Sequence, residues 1–205
     1  MSDIAHLAAT IFRQATGKDR FIVAIAGPPG AGKSTLAARL LELLAEAPAA
    51  LVPMDGFHFD NTVLEARGHR ARKGAPDTFD FDGLETALRR LKSGSADVAV
   101  PLFDREADMA RAGAAIVKAT DRIVLVEGNY LLLDEAPWRS LSALFDFKVF
   151  LDVPRGALAH RLVQRWLDHG LSEAQARERA FSKDMANAER VIAERLEPDA
   201  VIETS

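Results

Sequence analysis

Hydrophobic residues are distributed along the chain in two patterns. The first is a short, continuous apolar run, which is typical of a strand buried on both faces of a parallel sheet. Strands are predicted for the runs FIVAIAG (21–27), ALVPM (50–54), RIVLVEG (122–128), FKVFLDV (147–153) and DAVIET (199–204). The second pattern places apolar residues three or four positions apart, as in an amphipathic helix, and it alternates with these runs.

Helical spacing is clearest after the first apolar run, where leucines recur at Leu36, Leu40, Leu43 and Leu44. The segment DGLETALRRL (82–91) predicts another helix, with Asp82 and Glu85 as a capping pair at its start. Strands that alternate with helices in this order predict an α/β fold. We expect a mainly parallel, doubly wound sheet with helices on both faces.

Two segments depart from this alternation. Residues 97–117 contain two short β-prone runs around a charged centre, which predicts a β-hairpin laid on the sheet. Residues 154–195 show a helical pattern throughout, and its second half begins at Ser172, where Gln175 completes a capping box. Because the sequence shows neither an internal repeat nor a linker, we predict one domain over residues 1–205.

Composition excludes several classes of protein. Of the 205 residues, 48% are hydrophobic and 27% are charged, as is usual for a globular protein. The formal net charge of -4 gives no electrostatic reason to expect a nucleic-acid partner. The lack of cysteine excludes disulfides, thiolate nucleophiles and cysteine-ligated zinc. Because neither a signal peptide nor an apolar stretch of bilayer length is recognisable, we expect a cytoplasmic protein without a membrane partner.

The segment GPPGAGKST (27–35) carries the strongest chemical signal. It matches G-x-x-x-x-G-K-[ST] between an apolar strand and an amphipathic helix, the context that a phosphate-binding P-loop requires. Its glycines allow backbone N–H groups to converge on phosphate oxygens at a helix N-terminus. A glycine-rich turn without a ligand is the alternative. The motif indicates a three-layer P-loop NTPase fold with nucleotide bound by Gly27, Pro28, Pro29, Gly30, Ala31, Gly32, Lys33, Ser34 and Thr35.

Three further predictions concern the cofactors and the edge of the sheet. Lys33 can reach the β- and γ-phosphates as a catalytic cation, and the Ser34 hydroxyl can ligate Mg²⁺, so ATP and Mg²⁺ are the predicted cofactors. Glu127 ends the apolar run IVLV, the usual position of an acid that holds Mg²⁺, although an acid at a strand end can also face solvent. Asn129 and Tyr130 follow at the same edge as candidate substrate contacts.

The stretch VPMDGFHFD (52–60) places an aspartate after the strand that follows the P-loop helix. Ligands of open α/β sheets bind beyond the carboxyl ends of the strands, which puts Asp55 beside the γ-phosphate. A carboxylate there can accept the proton of an attacking hydroxyl as a general base. Gly56 permits a sharp turn, and Phe57 and His58 can wall an acceptor pocket. The alternative is an ordinary Asp-Gly turn followed by core phenylalanines.

Arginines are concentrated in VPRGALAHRLVQRW (153–166). Arg161 and Arg165 share a helix face, since they are four residues apart. Basic groups on a mobile helical segment are what a kinase lid uses to neutralise charge on the transferring phosphoryl. We therefore predict a lid over residues 155–175 with both arginines as catalytic groups. A solvated basic face paired with nearby acids is the alternative.

Several motifs together resemble those of one kinase family. They are GPPGAGKST (27–35), MDGFHFD (54–60), RKGAPDTFD (72–80), VPLFD (100–104), VEGNYLLLD (126–134) and the arginine-bearing segment 155–165. The set resembles uridine kinase, phosphoribulokinase and bacterial type I pantothenate kinase, and it is most similar to the bacterial branch labelled as a fructose transport system kinase. By this resemblance Asp55 matches the base, Asp104 and Arg105 follow the substrate-side element, and Arg161 falls on a lid arginine.

The sequence therefore predicts an ATP-dependent kinase that transfers the γ-phosphate to a hydroxyl of a sugar, nucleoside or pantothenate-like molecule, with Asp55 as general base. The alternative is a nucleotide-dependent switch or regulatory NTPase without a small-molecule acceptor, which would dock a protein through the 97–117 hairpin. The sequence leaves open the acceptor and the oligomeric state, with a homodimer as one option.

Overall fold

The computed structural model describes residues 3–45 and 47–204. Within these residues the strands are β1 (Phe21–Ala26), β2 (Ala49–Pro53), β3 (Val98–Asp104), β4 (Met109–Val117), β5 (Ile123–Gly128), β6 (Phe147–Asp152) and β7 (Ala200–Glu203). Five of them form one sheet in the order β2-β5-β1-β6-β7. Each pairing in that sheet is parallel, which confirms the predicted doubly wound arrangement.

The helices of the described residues are α1 (Asp3–Ala15), α2 (Lys33–Leu43), α3 (Asn61–Ala66), α4 (Phe81–Ser93), α5 (Arg155–Asp168), α6 (Glu173–Arg179) and α7 (Met185–Ala193). A single π-helical turn, Ala180–Asp184, joins α6 directly to α7. None of these helices combines the length and the apolar character that crossing a bilayer requires.

The side chains of β1 show why the fold has three layers. Every residue of this central strand is buried, and alternate residues enter different cores because successive side chains of a strand point to opposite faces. Ile22 and its alternates pack in a core with α4 and the hairpin, whereas Phe21 and its alternates pack with α1, α2 and α5. A continuous apolar run is therefore what this position requires.

The hairpin predicted at 97–117 is formed by β3 and β4, which pair antiparallel with an irregularity between Val100 and Leu102. Its first strand passes close to the turn that follows β2. A Cβ atom added at Gly56 would lie only 2.3 Å from the carbonyl oxygen of Pro101. The hairpin is thus fastened to the carboxyl edge of the sheet, where the site lies.

Some local predictions were wrong or incomplete. The N-cap of α4 is Asp80, whose carboxylate accepts a hydrogen bond of 3.0 Å from the Gly83 N–H, so Asp82 lies inside the helix instead of capping it. The helical pattern over 154–195 is interrupted between α5 and α6. The capping box of Ser172 and Gln175 starts α6 as predicted. Helices α1 and α3 were not predicted.

Candidate active site at the carboxyl edge of the sheet

The P-loop connects β1 to α2. Gly30 and Gly32 adopt left-handed backbone angles, with φ of 81° and 93°, which glycine reaches without steric penalty. A Cβ atom added at Gly30 would also lie 3.1 Å from the Leu162 side chain of α5. Because α2 begins at Lys33, the loop ends at a helix N-terminus, where phosphate is favoured by free N–H groups and by the helix dipole.

A cavity of about 230 Å³ lies against the P-loop. Its walls come from the P-loop and the start of α2, the turn after β2, the hairpin turn, the end of β5, and α5. The lining residues are Pro29, Gly30, Gly32, Lys33, Ser34, Thr35, Asp55, Arg105, Glu127, Gly128, Asn129 and Arg165. The predicted base and the predicted phosphate cradle therefore face one space, while Gly27, Pro28 and Ala31 shape the loop outside the lining.

Lys33 is a buried cation in this cavity. Its ammonium group donates a hydrogen bond of 2.9 Å to the carbonyl oxygen of Pro28, and the residue is 8% exposed. Burial lowers the pKa of Lys33 to about 8, and the negative charges of Glu127 and Asp55 offset part of that effect. The lysine is cationic at neutral pH, yet it loses its proton far more readily than an exposed lysine.

Glu127 and Ser34 form a pair of oxygen ligands on the cavity wall. The Ser34 hydroxyl donates to Glu127 Oε1 at 3.1 Å. Burial raises the pKa of the Glu127 carboxyl, while the Lys33 cation opposes that rise. The described residues contain no cluster of three or more acidic, histidine or cysteine side chains arranged for a metal. The pair fits Mg²⁺, which usually takes one or two protein oxygens together with nucleotide phosphates.

Asp55 lies on a short 3₁₀ turn, Met54–Phe57, immediately after β2. Its Oδ2 accepts a hydrogen bond of 3.1 Å from Arg105, which comes from the hairpin turn 50 residues later. The Asp55 side chain is 29% exposed and that of Arg105 is 73% exposed. Gly56 is required here because Pro101 leaves no room for a side chain, a constraint that its turn-forming character alone does not reveal.

The aromatic residues after Asp55 hold the turn in place and do not line the cavity. Phe57 is 7% exposed and packs in the core shared with α4. The His58 ring packs on Phe79 and Phe103, with centroid distances of 3.9 and 5.0 Å. His58 Nδ1 also lies 2.9 Å from the Asp55 carbonyl oxygen, and burial lowers the pKa of this imidazole. His58 thus contacts the backbone of Asp55, and neither Phe57 nor His58 is among the residues that line the cavity.

Two other predicted substrate contacts also lie outside the cavity lining. Tyr130 is fully buried, and its hydroxyl donates to the carbonyl oxygen of Gly74 at 2.5 Å. Asp104 caps the hairpin turn by accepting from the Ala107 N–H at 3.0 Å and lies 3.5 Å from Arg111. Both side chains make contacts within the protein: Tyr130 anchors the 72–80 loop, and Asp104 shapes the turn that carries Arg105.

The two predicted lid arginines have different surroundings. Arg161 donates to the carbonyl oxygens of Gly30 and Ala31, both at 3.3 Å, and thus supports the P-loop from outside the cavity. Arg165, one helical turn later, lines the cavity itself. It donates to Asp184 at 2.6 Å. Spacing alone placed the two on one face but did not indicate that only Arg165 reaches the site.

Lys73 is a structural residue whose role was not predicted. It is 8% exposed, and its ammonium donates to Asn61 Oδ1 and to both the carbonyl oxygen and Oδ1 of Asp108, at 2.8 to 2.9 Å. These three bonds use every donor of the lysine. They tie the 72–80 loop and α3 to the hairpin turn beside Arg105. Its position within the RKGAPDTFD motif is the sequence feature that could have indicated this role.

Comparison with known proteins gives a consistent result. The sequence matches the phosphoribulokinase/uridine kinase family over residues 22–201. A crystal structure from Silicibacter sp. TM1040, provisionally described as a fructose transport system kinase, is 45% identical, covers 98% of this chain and 100% of that chain, and gives a TM-score of 0.93. A Schizosaccharomyces pombe protein provisionally described as a uridine kinase is 34% identical over 197 residues, 91% of this chain and 84% of that protein.

Pantothenate kinases form a third group of relatives. The pantothenate kinase of Leifsonia xyli subsp. xyli is 35% identical over 153 residues, which are 72% of this chain but 48% of that protein. These comparisons confirm the family resemblance seen in the motifs, the P-loop kinase fold and the use of ATP on a small-molecule substrate. The chain belongs to the phosphoribulokinase/uridine kinase family and is an ATP-dependent phosphotransferase.

Proposed function

We propose that this protein transfers the γ-phosphoryl group of MgATP to a hydroxyl of a small molecule, with Asp55 as the general base. The observation that carries the proposal is the shared cavity, in which the Asp55 carboxylate and the P-loop lysine lie on the same space. A base must be within reach of the hydroxyl that attacks phosphorus, and the place of Asp55 on the cavity wall supports this role.

The phosphate side of the site supplies charge and position. Bound MgATP provides the phosphoryl group to be transferred and the metal charge that compensates the phosphates. The N–H groups of the P-loop and the Lys33 ammonium bind phosphate oxygens, and Ser34 with Glu127 would hold Mg²⁺. Arg165 would contact the transferring phosphoryl from α5, where its positive charge stabilises the charge that develops there.

The acceptor side supplies the proton acceptor. Asp55 would take the proton of the acceptor hydroxyl as its oxygen forms the bond to phosphorus and the bond to ADP breaks. Arg105 already donates to Oδ2 of this carboxylate, which fixes its orientation at the cavity edge. Because the Arg105 side chain is 73% exposed, its other N–H groups remain open to a polar group of the acceptor.

Sugars, nucleosides and pantothenate-like alcohols are the acceptor classes to test. The relatives named uridine kinase and pantothenate kinase suggest two of them. Because this chain spans about half the length of the pantothenate kinases, their acceptor pocket does not transfer directly. ADP release should be measured across a panel of these compounds, with ATP alone as reference.

The decisive experiment compares Asp55→Asn with Asp82→Asn, an exposed aspartate on α4 that serves as the matched control. We expect Asp55→Asn to lower acceptor-dependent turnover by roughly 10²-fold or more, with ATP affinity within about twofold of wild type. Unchanged turnover would remove Asp55 as the base. ATP hydrolysis that no acceptor accelerates would instead support a nucleotide-dependent switch.

A further inference from the structure

An irregular helical turn lies beside the site. Between α6 and α7 the chain forms a π-helical turn, Ala180–Asp184, and single π-turns in proteins occur often at functional positions. The last residue of the turn, Asp184, is 6% exposed. A buried carboxylate is unfavourable unless it is hydrogen-bonded and paired with positive charge. Its partners therefore indicate what this acid does.

Asp184 binds two consecutive residues of α5 through a single oxygen. Oδ2 accepts from Arg165 Nη2 at 2.6 Å and from the Trp166 indole N–H at 2.7 Å. Two donors fix the carboxylate in one orientation. The indole bond also anchors it independently of the arginine, so its position does not depend on where the guanidinium points.

The arginine partner is the residue that lines the cavity. The Arg165 side chain is 37% exposed, against 9% for Asp184, so the pair has one end in the protein and one end at the site. A guanidinium carries five N–H donors, and the bond to Asp184 leaves others for phosphate oxygens. An unrestrained arginine loses side-chain entropy when it is fixed. When a carboxylate already holds the guanidinium, most of this entropy is lost on folding, and little remains to be lost in the transition state.

We infer that Asp184 is a positioning residue for phosphoryl transfer, which holds the Arg165 guanidinium at the cavity wall so that it contacts the transferring phosphoryl without reorganisation. The inference rests on the proposed function, because it requires Arg165 to act on that group. A purely structural role, in which Asp184 only fastens the π-turn to α5, would affect stability without acting through Arg165.

A double-mutant cycle in kcat separates these roles. The variants are Asp184→Asn, Arg165→Met and the double variant, and Asp168→Asn, an exposed acid at the end of α5, serves as the matched control. We expect each single variant to lower kcat by roughly 10- to 100-fold. The double variant should be no slower than Arg165→Met alone, because Asp184 then has nothing left to position. The control should retain wild-type kcat.

Multiplied effects in the double variant would overturn the inference, as would wild-type kcat in Asp184→Asn. Both outcomes leave the proposed function intact, since they require an enzyme with acceptor-dependent turnover. If no acceptor accelerates ADP release from the wild-type protein, the proposed function itself has failed.

A second measurement covers the case in which Asp184→Asn does not fold. In the wild-type protein, ¹⁵N NMR of the arginine side chains would follow the Arg165 guanidinium, assigned by the loss of its signal in Arg165→Met. We expect a restrained guanidinium, with resolved N–H signals, both without nucleotide and with MgADP. A single averaged signal from a freely rotating group would overturn the inference.

Discussion

The two halves of the cavity are built in different ways. The phosphate half comes mainly from one continuous segment, residues 27–35, in which the loop and the first turn of α2 lie side by side in sequence. The acceptor half is assembled from distant segments. Asp55 meets Arg105 across 50 residues, and Lys73 meets Asp108 across 35 residues.

This difference has a functional consequence. A local loop depends mainly on β1, on α2 and on the α5 residues that support it, so changes on the acceptor side should affect nucleotide binding little. The acceptor half depends on a few long-range anchors, and losing one of them displaces several groups at once. ATP binding and acceptor use should therefore be separable by mutation.

The largest effect is expected for the phosphate half. Lys33→Ala removes the buried cation. We expect the Kd for ATP to rise by about 10²-fold and turnover to fall by about 10²- to 10³-fold. Titration calorimetry and ADP release measure the two effects. Lys118→Ala, at an exposed lysine after β4, is the control and should bind ATP normally. Wild-type ATP affinity in Lys33→Ala would contradict the cradle assignment.

The next effect concerns the contact between the hairpin and the Asp55 turn. Gly56→Ala would place a Cβ atom 2.3 Å from the Pro101 carbonyl oxygen, so the backbone must move. We expect turnover to fall at least about tenfold and the free energy of unfolding to fall by roughly 1–3 kcal/mol, with ATP affinity little changed.

The matched control for this substitution is Gly156→Ala in the first turn of α5, where an added Cβ meets nothing within 4 Å. Alanine there should be neutral or stabilising by about 0.4–1 kcal/mol. Thermal unfolding and steady-state kinetics of both variants test the prediction. Equal behaviour of the two alanines would show that the hairpin does not fix the Asp55 turn.

A smaller effect is expected from loosening the hairpin turn itself. Lys73→Met keeps the aliphatic stem but loses the bonds to Asn61 and Asp108, so the turn that carries Arg105 gains freedom. We expect the acceptor KM to rise about tenfold while the ATP KM changes less than about twofold. The neighbouring Arg72→Met, at an exposed arginine paired with Asp77, is the control. A parallel rise in both KM values would mean that the two halves are not separable.

The smallest effect is a pH dependence confined to the phosphate half. The pKa of Lys33 is lowered to about 8 in the free protein, and bound phosphates should raise it because they favour the cation. ATP binding should therefore take up a proton above about pH 8, and the Kd should rise by about three- to tenfold per pH unit there. Lys33→Arg keeps its charge and should flatten this dependence. A flat profile in the wild-type protein would refute the lowered pKa.

Much of the fold could be predicted from sequence because its signals are local. Five apolar runs predicted the five strands of the parallel sheet, and the hairpin followed from two β-prone runs. Helix α3 spans six residues, too few for a clear period, and the N-cap of α4 was misplaced by two residues. Boundaries of this kind depend on side-chain hydrogen bonds that several nearby residues could make.

The site was predictable only in part, because the sequence carries clear signals only for those elements of the site that are local. A motif located the P-loop, position after a strand located Asp55, and position at the end of a strand located Glu127. Nothing in the sequence distinguished the buried Tyr130 from a substrate contact, because its partner, the Gly74 carbonyl, is 56 residues away. Likewise, the acid that holds Arg165 lies 19 residues later on another helical segment.

The sequence by itself determined the strand–loop–helix unit that binds phosphate, since the glycines, the lysine and the apolar strand act within a few residues of each other. Only the tertiary structure decided that Arg105 meets Asp55, that Arg165 and not Arg161 lines the cavity, and that the aromatic residues after Asp55 support its turn. These arrangements depend on packing between segments far apart in the chain, and such packing is set by the whole core.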